Sequence, residues 1–393
     1  MMLKECIFID GIRTPNARAH QEKGWFRKVR PDELLTVLYK AIFERNSKVR
    51  PENIDAVFMG TANASGMQND IGRFAWLASG LPVAVPSQTV CNQCPSGMSA
   101  TMDAARAIMT GEIDIALSGG VEDMEKVQPG SNFDFPPRML RRYNIHEIQM
   151  GPTAEKVAEQ YGISVDDMVN FAANSHVCAT RARNRGAYKN EIIPVMGKKE
   201  DGTDFWVEHD QWIREKPDIE KMKSMASPFK ENGTVSAATS SPLTAGAALI
   251  LLMSREKADK LGLSYTYKYS YGVQAGNDPT VMGVGPIDAV RKLFNRTGLT
   301  PDNIGAIELN EAFASQALAV IRELNLDNKN APFRKVNTWG GALALGHPLG
   351  QSGARLIVTL LNRLRSDFPY EKYGLATLCG GFGNATAVLV EKL

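Results

Sequence analysis

Apolar residues occur along the chain in two kinds of pattern. Short continuous runs, such as CIFI at residues 6–9, are typical of buried strands. Longer stretches carry apolar residues every three or four positions, as at Met102, Ala105 and Ile108, which predicts one buried face of a helix. Because predicted strands and helices alternate through much of the chain, the pattern predicts the α/β class.

The C-terminal part of the chain repeats the pattern of the N-terminal part. RPENIDAVFMGTAN at 50–63 matches TPDNIGAIELNEAF at 300–313, and each segment follows a predicted helix and enters a predicted strand. The segments 94–120 and 347–381 form a second matched pair, in which a helix precedes a strand that ends in Gly-Gly. Two matched units in the same order predict a duplicated α/β fold, and chance similarity is the less favoured alternative.

Residues from about 121 to 245 follow neither repeat, because loop-rich stretches dominate there. Two predicted helices interrupt them, TAEKVAEQYG and VDDMVNFAANSHVCATRAR. We interpret this region as an insertion that forms a lid. We therefore expect an N-terminal domain at 1–261, which carries the inserted loop domain, and a C-terminal domain at 262–393.

Composition and charge disfavour several classes of protein. The formal net charge of +2 gives no basic surface for a nucleic-acid partner. The longest strongly apolar run, AGAALILLM at 245–253, is far shorter than the ~20 residues of a membrane span. The N-terminus lacks a signal-peptide pattern. An odd number of cysteines, five, in a large chain without such a signal indicates reduced thiols rather than disulfides. We expect a cytoplasmic protein without a membrane span.

The stretch TVCNQCPSGMSA at 89–100 places Cys91 and Cys94 in a C-x-x-C spacing. A second Cys/His pair with ligand spacing does not occur in the sequence, so we expect no metal site. Cys94 precedes a predicted helix, whose free N–H groups should lower the thiol pKa, as expected for a nucleophile. A buried structural cysteine and a redox pair are the alternatives.

Two later segments also carry candidate chemistry. His347 precedes the helix that corresponds, in the second repeat, to the helix after Cys94, which favours a base opposite a nucleophile. Cys379 ends an apolar strand and is followed by glycines, whose N–H groups can form an oxyanion hole. The other four histidines lack such a setting, and we interpret His176 as a residue on a helix surface.

Seven motifs in order resemble those of the thiolases, the acetyl-CoA C-acyltransferases. They are CPSGMSA, SGGVEDM, MGPTAEKVA, GTVSAATSS, NEAFA, GGALALGHPLGQSGAR and LCGGFGNA. The resemblance extends from DGIRTP at 10–15 to the C-terminus. It implies the thiolase fold, in which duplicated βαβαβαββ halves form a layered α-β-α-β-α core with an inserted loop domain. It also implies thiolytic cleavage of 3-ketoacyl-CoA to acetyl-CoA and a shortened acyl-CoA, through an S-acyl-cysteine intermediate.

The same resemblance implies a role for each residue of the reaction centre. Cys94 is the nucleophile, and His347 activates it. Asn310 positions a water in the first oxyanion hole. Cys379 is the second acid/base. The backbone N–H groups of Cys94 and Gly381 form the second oxyanion hole.

For coenzyme A, the resemblance points to the inserted region and adjoining turns. The implied residues are Met150, Arg214, Phe229, Ala237, Ser241, Leu243, Ala312 and Phe313. Arginine suits nucleotide phosphates and stacks on adenine. The resemblance makes CoA and acyl-CoA substrates, with no permanently bound cofactor, and implies a homodimer or homotetramer.

The chain departs from the family pattern at four positions. Cys91 stands at a usual asparagine, Pro95 at a small residue, Ala245 at a common aspartate, and Phe382 within a glycine-rich run. None of these removes a catalytic residue. The alternatives are a short-chain acetoacetyl-CoA thiolase working in synthesis and a non-catalytic, thiolase-like lipid carrier or scaffold subunit. Cys91 is either a small buried substitute or a residue that forms a disulfide with Cys94.

Overall fold

The computed structural model describes residues 3–131, 133–326 and 335–393. The helices in these ranges are α1 (Pro31–Arg45), α2 (Ile71–Ala78), α3 (Ser96–Thr110), α4 (Pro137–Leu140), α5 (Met150–Gln160), α6 (Val165–Asn184), α7 (Ile219–Lys223), α8 (Arg255–Lys260), α9 (Gly285–Thr297), α10 (Ala314–Glu323), α11 (Ala342–Leu345) and α12 (Leu349–Ser366). The strands are β1 (Cys6–Arg13), β2 (Ala17–Arg18), β3 (Ala56–Gly60), β4 (Ser87–Val90), β5 (Ile115–Asp123), β6 (Val195–Lys198), β7 (Asp204–Val207), β8 (Thr244–Ser254), β9 (Tyr267–Gly276), β10 (Ile304–Leu309), β11 (Tyr373–Gly380) and β12 (Asn384–Lys392).

The strand order of the large sheet repeats itself on either side of one junction. The order is β10-β11-β12-β9-β1-β8-β5-β3-β4, with β2 beside β8. Reading outward from the β1–β9 junction, β1-β8-β5-β3 corresponds to β9-β12-β11-β10, and the parallel and antiparallel pairings agree. In the second half, Val336 makes a single parallel bridge to Ile307 where the first half has β4. The predicted duplication is therefore confirmed.

Helices α3 and α12 lie between the two halves of the sheet. Their apolar side chains, among them Met102 and Leu360, share one core with residues from strands of both halves, including Ile250 and Val388. Helix α1 packs on the outer face of the first half, and α9 and α10 pack on that of the second. This arrangement confirms the layered α-β-α-β-α core that the resemblance implied.

Glycines bring α3 and α12 into close contact near their N-termini. A Cβ atom at Gly97 would lie 2.6 Å from the carbonyl oxygen of Gly350. A Cβ atom at Gly353 would lie 2.5 Å from the backbone nitrogen of Met98. Any larger residue at either glycine would push the helices apart, because real Cβ contacts are not this short. The N-terminal ends of the two central helices therefore meet.

The inserted region between β5 and β8 contains α4, α5, α6, α7 and the hairpin β6–β7. The sequence predicted α5 and α6 but not the hairpin. The fully buried Arg13, at the end of β1, fastens this region to the core. Its Nε donates to Glu191 at 2.7 Å, and its Nη1 donates to Asp210, also at 2.7 Å. A charge buried this deeply requires such partners.

Two expectations can be compared directly with the described helices. His176, on α6, is buried and accepts a hydrogen bond at Nδ1 from the backbone N–H of Arg214, so its predicted position on a helix surface is wrong. Among the described residues, no helix is both long enough and apolar enough to cross a membrane.

Candidate active site

The contact between α3 and α12 brings two of the predicted catalytic residues to one place. Cys94 lies just before α3, after Gln93, whose φ of 53° turns the chain sharply out of the segment that follows β4. His347 lies just before α12, in the corresponding position of the second repeat. Both side chains are buried, and both line the same cavity. The duplication therefore supplies one residue of this pair from each half.

Burial controls the ionisation of the Cys94 thiol. It raises the pKa of Cys94 to about 12, although the N–H groups of Gly381 and of Cys94 itself act in the opposite direction, and the carboxylate of Glu122 adds to the increase. The expectation of a lowered pKa at the helix N-terminus is therefore wrong for the free protein, because desolvation of the thiolate outweighs the N–H dipoles. The thiol needs a base when it reacts.

His347 is held in a defined orientation. Its Nδ1 lies 2.6 Å from Oγ of Ser352, whose hydroxyl donates to the Pro348 carbonyl at 2.9 Å. The hydroxyl oxygen therefore accepts the Nδ1 proton, which leaves the lone pair on Nε2. Burial lowers the pKa of His347 to about 3, and the charge of Arg355 acts in the same direction. The imidazole is neutral, as a base must be before it accepts a proton.

Asn310 lies beside the imidazole and outside the cavity lining. Its Nδ2 is 3.3 Å from Nε2 of His347, and its backbone carbonyl accepts a hydrogen bond from Gln316. The Oδ1 atom of Asn310 is buried and has no hydrogen-bond partner among the residues that the structure describes. An unpaired buried acceptor of this kind is the site at which an ordered water is expected.

Cys379 lies at the C-terminal end of β11, next to the loop that carries Cys94. Burial raises its thiol pKa, and the nearby Cys94 raises it further. A Cβ atom at Gly380 would lie 2.4 Å from Cδ of Pro95, so glycine is required where the strand end passes the nucleophile loop. This close approach brings the N–H of Gly381 to the Cys94 sulfur. Two protonated thiols therefore share one site.

A cavity of about 500 Å³ extends from these groups towards the inserted region. Of the predicted residues, it is lined by Cys94, His347, Cys379, Gly381, Met150, Phe229, Ala237, Ser241, Leu243, Ala312 and Phe313. The exposed Arg214 does not line it, and contacts the ring of Trp212 instead. Cys91 also lies outside this lining; its sulfur donates to the Ala62 carbonyl, and all five cysteines are free.

Trp212 and Arg18 are among the residues that line the cavity and that the sequence did not predict. The guanidinium carbon of Arg18 lies 4.8 Å from the centroid of the Trp212 ring, and that of Arg214 lies 5.0 Å from it. The two arginines thus place positive charge beside one aromatic ring at the cavity. The short spacing of Trp212 and Arg214 was a visible signal, whereas the contact with Arg18 depends on the fold.

Comparisons with known proteins agree with this geometry. Residues 6–256 match the family model described as "Thiolase, N-terminal domain", and residues 264–392 match "Thiolase, C-terminal domain". The chain is 41% identical over 392 residues to a 3-ketoacyl-CoA thiolase of Vibrio vulnificus strain CMCP6, covering 99% of this chain and 100% of the relative. It is 40% identical over 392 residues to the protein of that name from Marinobacter nauticus, covering 99% of both chains.

A solved structure extends the similarity to the fold. The crystal structure of the Bacillus anthracis acetyl-CoA acetyltransferase superposes with a TM-score of 0.89 at 32% sequence identity, covering 100% of each chain. The similarity thus includes both halves and the inserted region.

Proposed function

Because the chain belongs to the thiolase family, we propose that it cleaves 3-ketoacyl-CoA with CoA, giving acetyl-CoA and an acyl-CoA shortened by two carbons. One observation carries the proposal: the thiols of Cys94 and Cys379 and the imidazole of His347 line the same cavity. A retro-Claisen cleavage needs a nucleophile that forms a thioester and a separate acid for the carbon that leaves. The relatives' names point to the same substrate class.

In the first half-reaction, Nε2 of His347 takes the proton of Cys94, and the thiolate attacks the 3-keto carbon. The resulting oxyanion is stabilised by His347 and by a water bound to Asn310. The bond between C2 and C3 then breaks, and its electron pair forms the enolate of acetyl-CoA. The N–H groups of Cys94 and Gly381 stabilise this enolate, and Cys379 protonates C2. One oxyanion hole contributes about 3 kcal/mol to such a transition state.

In the second half-reaction, CoA replaces acetyl-CoA in the cavity. The Cys379 thiolate removes the proton of the CoA thiol, which attacks the acyl group on Cys94. The Cys94 sulfur leaves and recovers its proton from His347, so that both thiols and the imidazole return to their starting states. CoA is thus a substrate in this scheme, and no permanently bound cofactor takes part in it.

Replacement of Cys379 by serine should separate the two half-reactions. Cys379→Ser should still form the acyl-enzyme with acetyl-CoA, because CoA leaves as a stable thiolate even without an acid. It should lose about 10²-fold or more in the condensation of acetyl-CoA, since removal of the α-proton needs a base and a serine hydroxyl is a poor one. Intact-mass spectrometry measures the adduct, and a coupled assay measures acetoacetyl-CoA. Loss of the adduct together with condensation would show that CoA cannot leave without the Cys379 proton, and would contradict the expectation that only the carbon–carbon step depends on this thiol.

For the nucleotide end of CoA, we propose the stack of Arg18, Trp212 and Arg214. Arg18 and Trp212 line the cavity, and the two guanidinium groups can pair with phosphates while the ring packs against the adenine. The predicted Arg214 does not line the cavity, but its contact with the Trp212 ring holds its guanidinium group beside it.

Trp212→Ala should raise the KM for CoA about tenfold, while kcat changes less than twofold, because the stack contacts a part of CoA that does not react. Steady-state thiolysis of acetoacetyl-CoA at varied CoA concentration measures both constants. Trp206→Ala is the matched control, since Trp206 is 59% exposed on β7 and does not line this cavity. A fall in kcat with an unchanged KM would contradict the assignment.

The remaining expectations stay predictions. They are the domain boundary between residues 261 and 262, the homodimer or homotetramer, and the cytoplasmic location. The non-catalytic alternative is disfavoured, because every residue that the proposed scheme uses is present. No observation favours the synthetic direction over cleavage, and the scheme is reversible.

A further inference from the structure

A second cavity, of about 360 Å³, lies directly beside the first. Met150, Met282, Leu349 and Gly381 line both cavities and so form the partition between them. Gly381 is also the residue whose N–H reaches the Cys94 sulfur. Methionine is unbranched and flexible, so two of the partition residues can move aside at low cost. The second cavity therefore adjoins the nucleophile and is separated from it by an adaptable wall.

The lining of this second cavity is apolar and uncharged. Its larger side chains include Phe133, Phe135, Ile145 and Ile148. Its polar side chains are amides, and no ionisable side chain lines it among the residues that the structure describes. A carboxylate or a phosphate would be desolvated here without a partner, which is costly. The cavity thus suits a neutral, apolar ligand.

Three aromatic rings form one wall of this cavity. The ring centroid of Phe382 lies 5.4 Å from that of Phe133 and 5.6 Å from that of Phe135, each pair edge to face. Phe133 and Phe135 are themselves 5.6 Å apart. Edge-to-face pairs of this kind attract each other beyond the effect of the area that they bury. The wall is therefore a cohesive cluster, and we call these three residues the aromatic wall.

The backbone of Phe382 is in an uncommon conformation. Its φ is 62°, in the left-handed region, which is a strained conformation for a bulky residue. Glycine would adopt this conformation without strain. The strained peptide joins the aromatic wall to Gly381, and hence to the reaction centre. Strain of this kind persists where the surrounding structure holds it, and here it places the Phe382 ring in the wall of the second cavity, against Phe133 and Phe135.

We propose that the second cavity binds the acyl tail of the substrate and selects neutral tails of medium length. This inference rests on the proposed function. When CoA occupies the first cavity and the 3-keto carbon lies at Cys94, the chain from C4 onward must leave in another direction, and the second cavity adjoins that point. At roughly 30 Å³ for a water-sized group, its volume holds on the order of ten methylene groups.

The test compares 3-ketooctanoyl-CoA with acetoacetyl-CoA, whose chain ends at C4. The wild-type chain should give a kcat/KM at least tenfold higher for the longer substrate, since each methylene in an apolar pocket is worth a factor of about ten or more. Ile145→Trp places a larger side chain in the second cavity and should lower this ratio at least tenfold. Ile219→Trp is the matched control, because Ile219 is 39% exposed on α7 and lines neither cavity.

The outcomes separate this inference from the function on which it rests. A wild-type chain that cleaves neither substrate would overturn the proposed function. A ratio that Ile145→Trp leaves unchanged, with acetoacetyl-CoA still cleaved, would overturn the tail site alone. If circular dichroism shows that Ile145→Trp does not fold, Phe133→Ala decides. Its ring is 40% exposed and removable, and it should lower the same ratio about tenfold or the proposal fails.

Discussion

Cys94→Ser should lower the kcat/KM for thiolysis of acetoacetyl-CoA by about 10⁴-fold or more, and should abolish the covalent acetyl adduct on the protein. The reason is the strength of the base available. His347 is neutral, and burial lowers its pKa to about 3, so it can accept a proton only as the nucleophile attacks. A serine hydroxyl is a much weaker acid than a thiol and a poorer leaving group in the second half-reaction.

A matched cysteine controls for the loss of a thiol as such. Cys178 on α6 is buried like Cys94, but it lies outside both cavities and contacts Asn174. Cys178→Ser should keep both activity and adduct within twofold of the wild type. Cleavage by Cys94→Ser at the wild-type rate would refute the assignment of the nucleophile. An adduct that maps to Cys91 in the wild type would refute it as well.

The sequence predicted the arrangement of the site through the internal repeat. The match of residues 50–63 with 300–313 aligned the two halves, and the second match, of 94–120 with 347–381, placed Cys94 and His347 before equivalent helices. The structure adds the reason why equivalent positions become neighbours. Glycines 97 and 353 let the two central helices approach closely at their N-terminal ends. Helix periodicity and glycine content are local signals, so this part of the fold could be predicted from the sequence.

Features that depend on contacts between distant segments were not accessible in this way. His176 has the surroundings of a surface residue in the sequence, but the segment that contains Arg214 folds over it and donates a hydrogen bond to its ring. Trp212 becomes part of the cavity partly because Arg18, at the other end of the N-terminal half, stacks on it. The hairpin β6–β7 lies in the stretch that the sequence predicts to be loop-rich, because apolar and polar residues alternate only weakly along its two short strands.

The sequence predicted the wrong direction for the pKa shift of Cys94. A helix N-terminus alone favours a thiolate, and the sequence shows the helix but not the burial. In the structure, desolvation raises the pKa of Cys94 to about 12, while it lowers the pKa of His347 to about 3. Neither group changes its ionisation state between about pH 5 and pH 9 in the free protein. The wild-type rate should therefore vary little with pH in that window, since proton transfer occurs within the complex.

His347→Ala should remove this internal transfer and expose the ionisation of the thiol. At pH 7 we expect kcat/KM to fall by about 10³–10⁴-fold, the upper part of the range for loss of a general base. The residual rate should then rise by about tenfold per pH unit from pH 7 to pH 10. The reason is that the thiolate now forms only by loss of a proton to solvent, and pH 7–10 lies below the thiol pKa of about 12. Thiolysis of acetoacetyl-CoA across this range measures the slope.

The slope distinguishes a lost base from a disturbed fold. His209→Ala is the control, because His209 is exposed and packs on Trp25, away from both cavities. It should keep the flat profile and a rate within twofold of the wild type. A misfolded His347→Ala would lose activity at every pH, without the rise. A flat profile with a properly folded variant would show that another group deprotonates Cys94, and would remove His347 from the role of base.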